Sequence, residues 1–159
     1  MSEINDETAT WAARLDIFRR SVDLRLDGEG RWYHDGAPFE HARLIELFDR
    51  GIDVHPDSGA PILRVGGKWC YVQADDVPFL VRALRHAGDE LVARINTGEQ
   101  VSLATDALST SGDHVYARLD ERRTARLDRA THNGLAALLD EGEDGRPVVA
   151  GRWAITTGS

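Results

Sequence analysis

One motif occurs twice in this chain, and it limits the available folds more than any other feature. Gly59-Ala60-Pro61-Ile62-Leu63-Arg64-Val65-Gly66-Gly67-Lys68-Trp69-Cys70-Tyr71 stands in the middle. Gly145-Arg146-Pro147-Val148-Val149-Ala150-Gly151-Arg152-Trp153-Ala154-Ile155 stands near the end. Each reads as a β-branched strand, a glycine turn carrying a cation, and a returning strand that opens on tryptophan. A helical stretch precedes each copy, and before it a strand with a tyrosine, Tyr33 or Tyr116. Two degenerate copies of one supersecondary unit imply duplication. The expected fold is α+β, mostly antiparallel: two tandem repeats of a small antiparallel-sheet-plus-helix unit, preceded by an N-terminal helix. The expected bounds are residues 1–21 for the helix, 22–75 for the first repeat and 76–159 for the second.

The N-terminal helix is expected over residues 6–21, where Trp11, Leu15, Phe18 and Val22 fall on one stripe. Such a stripe packs on the body of the protein or on a partner, and amphipathic terminal helices usually dock in cis. Val22 to Asp27 alternates apolar and charged residues, Gly28-Glu29-Gly30 turns the chain, and Arg31 to His34 returns it. Asp35-Gly36 is a second turn, and Pro38 suits the first turn of a helix running to Arg50. Val77 to Leu84 reads as a strand on its β-branched content, with a short helix as the alternative. Leu91–Ile95 and Gln100–Leu103 form a hairpin, residues 109–113 a loop, and His114–Leu119 a strand. A helix is expected from Arg122 to Leu139, burying Leu127, Ala130, Gly134, Leu135 and Leu138.

The formal charge of −8 disfavours bulk attraction to nucleic acid or to an anionic membrane surface. The acidic start, Met1-Ser2-Glu3-Ile4-Asn5-Asp6-Glu7, does not read as a signal peptide, and the expected location is the cytoplasm. Four tryptophans, at positions 11, 32, 69 and 153, are expected to mark the most buried contacts. Cys70 is the only cysteine, which rules out an intrachain disulfide and a multi-cysteine zinc site.

Several stretches together resemble the bacterial domain of unknown function 1285 family. Arg31-Trp32-Tyr33-His34-Asp35-Gly36-Ala37-Pro38-Phe39 is similar to its opening motif, and Asp75-Asp76-Val77-Pro78-Phe79-Leu80-Val81 to its central segment. Val115-Tyr116-Ala117-Arg118, followed by Ala125-Arg126-Leu127 and Arg129, resembles its C-terminal block. The likeness spans residues 22–157 and departs from the pattern at Trp69-Cys70-Tyr71-Val72 and at His132-Asn133-Gly134. It implies two similar α+β subdomains in tandem, a part in signal transduction or ligand binding, and no known enzymatic activity.

The chemistry legible in the residues is sparse. The six histidines lack the spacing of a helical metal site, no nucleophile motif occurs, and neither metal nor cofactor is implied. Cys70, between Trp69 and Tyr71, reads as a buried and inert thiol, and Asp75-Asp76 as a solvated turn. Gly28/Gly30 and Gly66/Gly67 lie between strands and so read as hairpin turns. One constellation points to a ligand. Arg122, Arg126 and Arg129 recur at helical spacing with Arg118 nearby, a pattern that chelates carboxylate or phosphate, near a helix start that favours anions. Trp32 or Tyr116 would supply an aromatic wall. The expectation is a regulatory or sensory module that binds a small anionic ligand. The alternative is a protein-interaction module, a homodimer or scaffold, that uses the Trp11/Leu15/Phe18 stripe or an open strand edge.

Overall fold

The computed structural model describes residue 13 and residues 16–158. The chain divides into two compact units, one holding the residues up to Asp27 with Arg31–Asp75, the other Gly28–Gly30 with the residues from Asp76 on. Sheet dominates both, so the architecture is α+β, and among the described residues antiparallel strand pairings outnumber the three parallel ones.

In the first unit residues 16–21 are helical (α1). Strands β1 (Leu24–Leu26), β2 (Trp32–His34) and β3 (Ala37–Pro38) follow, with β7 (Gln73–Ala74) completing a sheet of order β3-β2-β1-β7. Asp35 and Gly36 both take the left-handed conformation (φ 49° and 82°) that a two-residue hairpin turn requires. Pro38 is therefore not in a helix. It pairs with Tyr33 on an edge strand, where its missing N–H costs nothing, and helix α2 begins later, at Ala42–Gly51. A three-stranded meander, β4 (Ile52–Val54), β5 (Pro61–Val65) and β6 (Lys68–Tyr71), comes next. Trp32 anchors this unit: it is buried, its ring meets Phe48 edge-on at 5.4 Å, and its Nε1 donates to Asp49 Oδ1 at 2.8 Å.

The second unit is one nine-stranded sheet. Its strands in chain order are β8 (Phe79–Ala87), β9 (Glu90–Ile95), β10 (Gln100–Ser102), β11 (Leu108–Ser111), β12 (His114–Arg118), β13 (Thr124–Leu127), β14 (Leu139–Glu141), β15 (Pro147–Val149) and β16 (Trp153–Thr157). In space they run β10-β9-β8-β13-β12-β11-β16-β15-β14. Val77–Leu84 is thus largely strand, as its β-branched content requires. The core holds Phe79, Leu80, Val81, Leu91, Leu108 and Trp153.

Four further expectations are corrected. Residues 109–111 are strand, not loop: Ser109, Thr110 and Ser111 pair with β12, and their polarity conceals a strand whose buried anchor is Leu108. The helix expected from Arg122 to Leu139 is broken into a turn, strand β13, helix α3 (Arg129–Leu135), a 3-10 turn (Ala136–Leu138) and strand β14. The break comes from two aspartates. Asp120 accepts from the backbone N–H groups of Arg122 (2.9 Å) and Arg123 (2.8 Å), which fixes a turn. Asp128 then caps α3 by accepting from Thr131 N at 2.8 Å. Between them the buried residues Ala125 and Leu127 alternate with Thr124 and Arg126, a period of two.

For the apolar stripe expected on the first helix, what is corrected is docking of Phe18 on the body of the protein. Trp11 and Leu15 lie outside the described residues, and Phe18 is 71% exposed beside Ile17 at 67%. Its polar residues make the contacts: Arg19 lies 4.0 Å from the Trp69 ring centre, Arg20 4.1 Å from that of Tyr71, and Tyr71 Oη donates to Asp16. The fourth concerns Trp69, which is half-buried at an edge strand and not part of the core. No helix among the described residues is long and apolar enough to cross a membrane.

Candidate functional site

Strands β12 and β13 set Tyr116 directly opposite Arg126, so both side chains rise from one face of the second unit's sheet. Asp76 receives both of them. Tyr116 Oη donates to Asp76 Oδ2 at 2.7 Å, and Arg126 Nη1 approaches the same oxygen at 3.4 Å. Arg126 Nη2 donates to Glu29 Oε1 at 3.0 Å. The Arg126 side chain is only 11% exposed, and its Nε is buried with no hydrogen-bond partner among the described residues. Burial and then the hydrogen bond to Asp76 push the Tyr116 phenol above its ordinary range, so it stays a protonated donor. Asp76 is therefore not part of a solvated turn. Its neighbour Asp75 bonds Arg25 of the first unit, and the Arg25 guanidinium holds that carboxyl below its ordinary value.

This cluster borders a cleft of about 190 Å³ in the second unit. Asp113 and His114, at the start of β12, form one wall, and Arg126 and Leu127 of β13 the floor. Arg129, His132 and Asn133 come from α3, placed there because the Asp128 cap fixes where the helix starts. Glu29 closes the rim. The volume is below the roughly 300 Å³ at which drug-sized pockets begin, and it suits an anion of few heavy atoms. Arg129 is exposed and makes no ion pair among the described residues, whereas Arg126 is already matched by two carboxylates. The cleft is thus furnished with donors, two guanidiniums, two imidazoles and a carboxamide, opposed by the carboxylates of Glu29 and exposed Asp113.

Of the residues singled out in the sequence, the structure brings Tyr116, Arg126 and Arg129 to this region and separates the others. The single helical face is not formed, because Arg122 lies in a turn, Arg126 on a strand and Arg129 at the first position of α3. With only seven residues, α3 also offers little of the dipole expected there. Arg118 ends β12, exposed, and its Nη2 bonds Asp106 at 2.7 Å. Trp32 is a buried core residue of the first unit. Sequence reasoning missed Asp76, Glu29, His114, His132 and Asn133. Among the described residues no group of three His, Cys, Asp or Glu side chains could hold a metal ion. Burial raises the pKa of the half-buried Cys70 thiol, the setting of an unreactive cysteine.

Two solved structures share the fold. A DUF1285 family protein from Silicibacter pomeroyi DSS-3 is 21% identical with a TM-score of 0.64, over 84% of this chain and 75% of its own. A DUF1285 family protein from Shewanella baltica OS155 is 19% identical with a TM-score of 0.57, over 74% of this chain and 92% of its own. The fold of this protein is thus the fold of DUF1285 family proteins, the family whose motifs its sequence resembles. No family model matches the sequence, and no curated protein matches it.

Proposed function

We propose that this protein is a cytoplasmic regulatory or sensory module, built of two tandem repeats over residues 22–75 and 76–159, whose second repeat binds a small anion. The supporting observation is Arg129, a guanidinium without an ion pair among the described residues, at a cleft lined with imidazole and carboxamide donors. Arg129 supplies the charge and a planar fork for a carboxylate or phosphate oxygen pair. His114, His132 and Asn133 complete the coordination, and Arg126 acts through position, holding β13 against Asp76 and Glu29. Thermal-shift titration of the full chain with phosphate, sulfate, acetate and malonate tests this. A saturable rise in Tm that Arg129→Gln removes is the expected result, since only native-state binding produces one. Because Arg129 is exposed and outside any ion pair, Arg129→Gln leaves the ligand-free Tm nearly unchanged. A flat response to all four anions refutes the reading.

A second reading, a homodimerising interaction module, draws on the exposed Ile17 and Phe18 side chains. It predicts a concentration-dependent sedimentation coefficient that Phe18→Ser abolishes. A monomer at all concentrations removes it.

A further inference from the structure

Helix α3 borders a second hollow, on residues that do not touch the anion cleft. Ala130, Thr131, Gly134, Leu135 and Leu138 face Arg82, Ala83 and Leu84 of β8 across about 250 Å³. Three of the residues that line it, Ala83, Ala130 and Gly134, have little or no side chain to fill it. Gly134 is the informative one. Its φ is not positive, and a Cβ built on it meets nothing within 4 Å, so neither the backbone conformation nor packing requires glycine there. Glycine is a poor helix former, yet it stands inside α3. It is an exposed lining residue that adds no side chain to the hollow.

The hollow also has a polar end built by separate elements. The register of β8 against β9 shifts between Val81 and Ala83, a bulge that places Arg82 as the extra residue. Arg82 Nη1 pairs with Asp128 Oδ2 at 3.4 Å, which uses one of the five N–H donors of a guanidinium. Thr131, 8% exposed, adds an Oγ1 with no hydrogen-bond partner among the described residues. A leucine-lined trough ending at an arginine matches a molecule with an aliphatic tail and one anionic head.

We propose that this hollow is a binding site for a short straight-chain carboxylate. The tail lies along Leu84, Leu135 and Leu138 over Gly134, and the carboxylate meets Arg82. The site is independent of the anion cleft, which uses Arg129, His132 and Asn133 from the same helix.

Titrating the full chain with butanoate, hexanoate and octanoate, with hexanol as the neutral control, tests the assignment by thermal shift and calorimetry. The expected result is saturable binding that tightens with tail length until the trough is full, with hexanol weaker by about tenfold or more. Gly134→Leu fills the trough and removes binding, while Arg82→Gln weakens hexanoate and leaves hexanol as it was. Ala83→Val narrows the same trough from the strand side and replaces Gly134→Leu if that variant melts below the parent. Arg129→Gln leaves hexanoate binding intact, which separates this site from the anion cleft. No binding of any acid by the parent, equal binding of hexanol and hexanoate, or binding that survives both trough-filling variants would each overturn the proposal.

Discussion

In the hairpin of β5 and β6, Trp69 lies opposite Arg64 on an edge strand, half-buried between His55 and Tyr71, with Arg19 over its face. In the hairpin of β15 and β16, Trp153 lies opposite Val149, is 1% exposed, and donates its Nε1 to Leu103 O at 2.9 Å. Both hairpins follow a helix and one further strand, and both open their second strand near tryptophan. The difference lies in what happens next. β6 has a neighbour on one side only, while β16 runs on beside β11 and so sits inside a nine-stranded sheet. Like local sequence thus makes like hairpins, but the fate of a tryptophan is set by whether another strand covers it.

The sharpest way to break this comparison is to truncate each ring. Trp153→Ala is expected to cost about 3–5 kcal/mol, the range for a buried large aromatic, and Trp69→Ala about 1 kcal/mol. Equal shifts of the urea midpoint would show that the two rings are energetically alike. The arginines of the two units differ in the same sense. Arg126→Ala leaves Asp76 and Glu29 without their shared cation and is expected to cost about 2 kcal/mol. Arg25→Ala removes a half-exposed pair with Asp75 and should leave the midpoint in place.

Helix glycines should respond with opposite signs. A Cβ on Gly51, at the end of α2, would collide with the Arg64 carbonyl oxygen, so Gly51→Ala destabilises. Gly134→Ala enters open space and should raise stability by about 1 kcal/mol. The smallest effect is a difference in pH response, read by hydrogen exchange of each unit. Asp75 has a folded pKa held below its unfolded value by Arg25, so its contribution is present above about pH 4 and fades as pH falls. Tyr116 has a folded pKa raised by burial and by Asp76, so its contribution holds below about pH 10 and fades as pH rises. Acid should weaken both units, because against its burial the hydrogen bond from Arg123 holds Asp120 of the second unit below its ordinary value, whereas base should loosen the second unit before the first. A parallel response of both units to base would remove this distinction.

Turns were the most legible part of the chain. Glycine and Asp-Gly pairs marked the hairpins because their backbone conformations depend on residue type alone. The misread helix shows where such locality ends. Leu127, Ala130, Leu135 and Leu138 keep a helical spacing across a junction that Asp120 and Asp128 break with side-chain hydrogen bonds to the backbone. The arginines are visible in the sequence as candidate anion-binding groups, but their arrangement is not, because Arg122, Arg126 and Arg129 share a helical spacing while a turn, a strand and a helix carry them. Asp76 and Glu29 were out of reach for another reason. They meet Arg126 across 50 and 97 residues of chain, and no local pattern encodes such a meeting.

Glu29 carries a last consequence. It lies in the turn between β1 and β2, strands of the first unit, yet Gly28–Gly30 is counted with the second. The boundary at Asp75–Asp76 therefore looks like a place to cut and is not one. A shortened chain starting at Asp76 would begin life without the carboxylate that faces Arg126 Nη2, and its guanidinium would stay anchored on Asp76 alone. The second unit is thus not one continuous stretch of chain. Dissecting the protein into separately made pieces would alter the very cluster such pieces were meant to isolate.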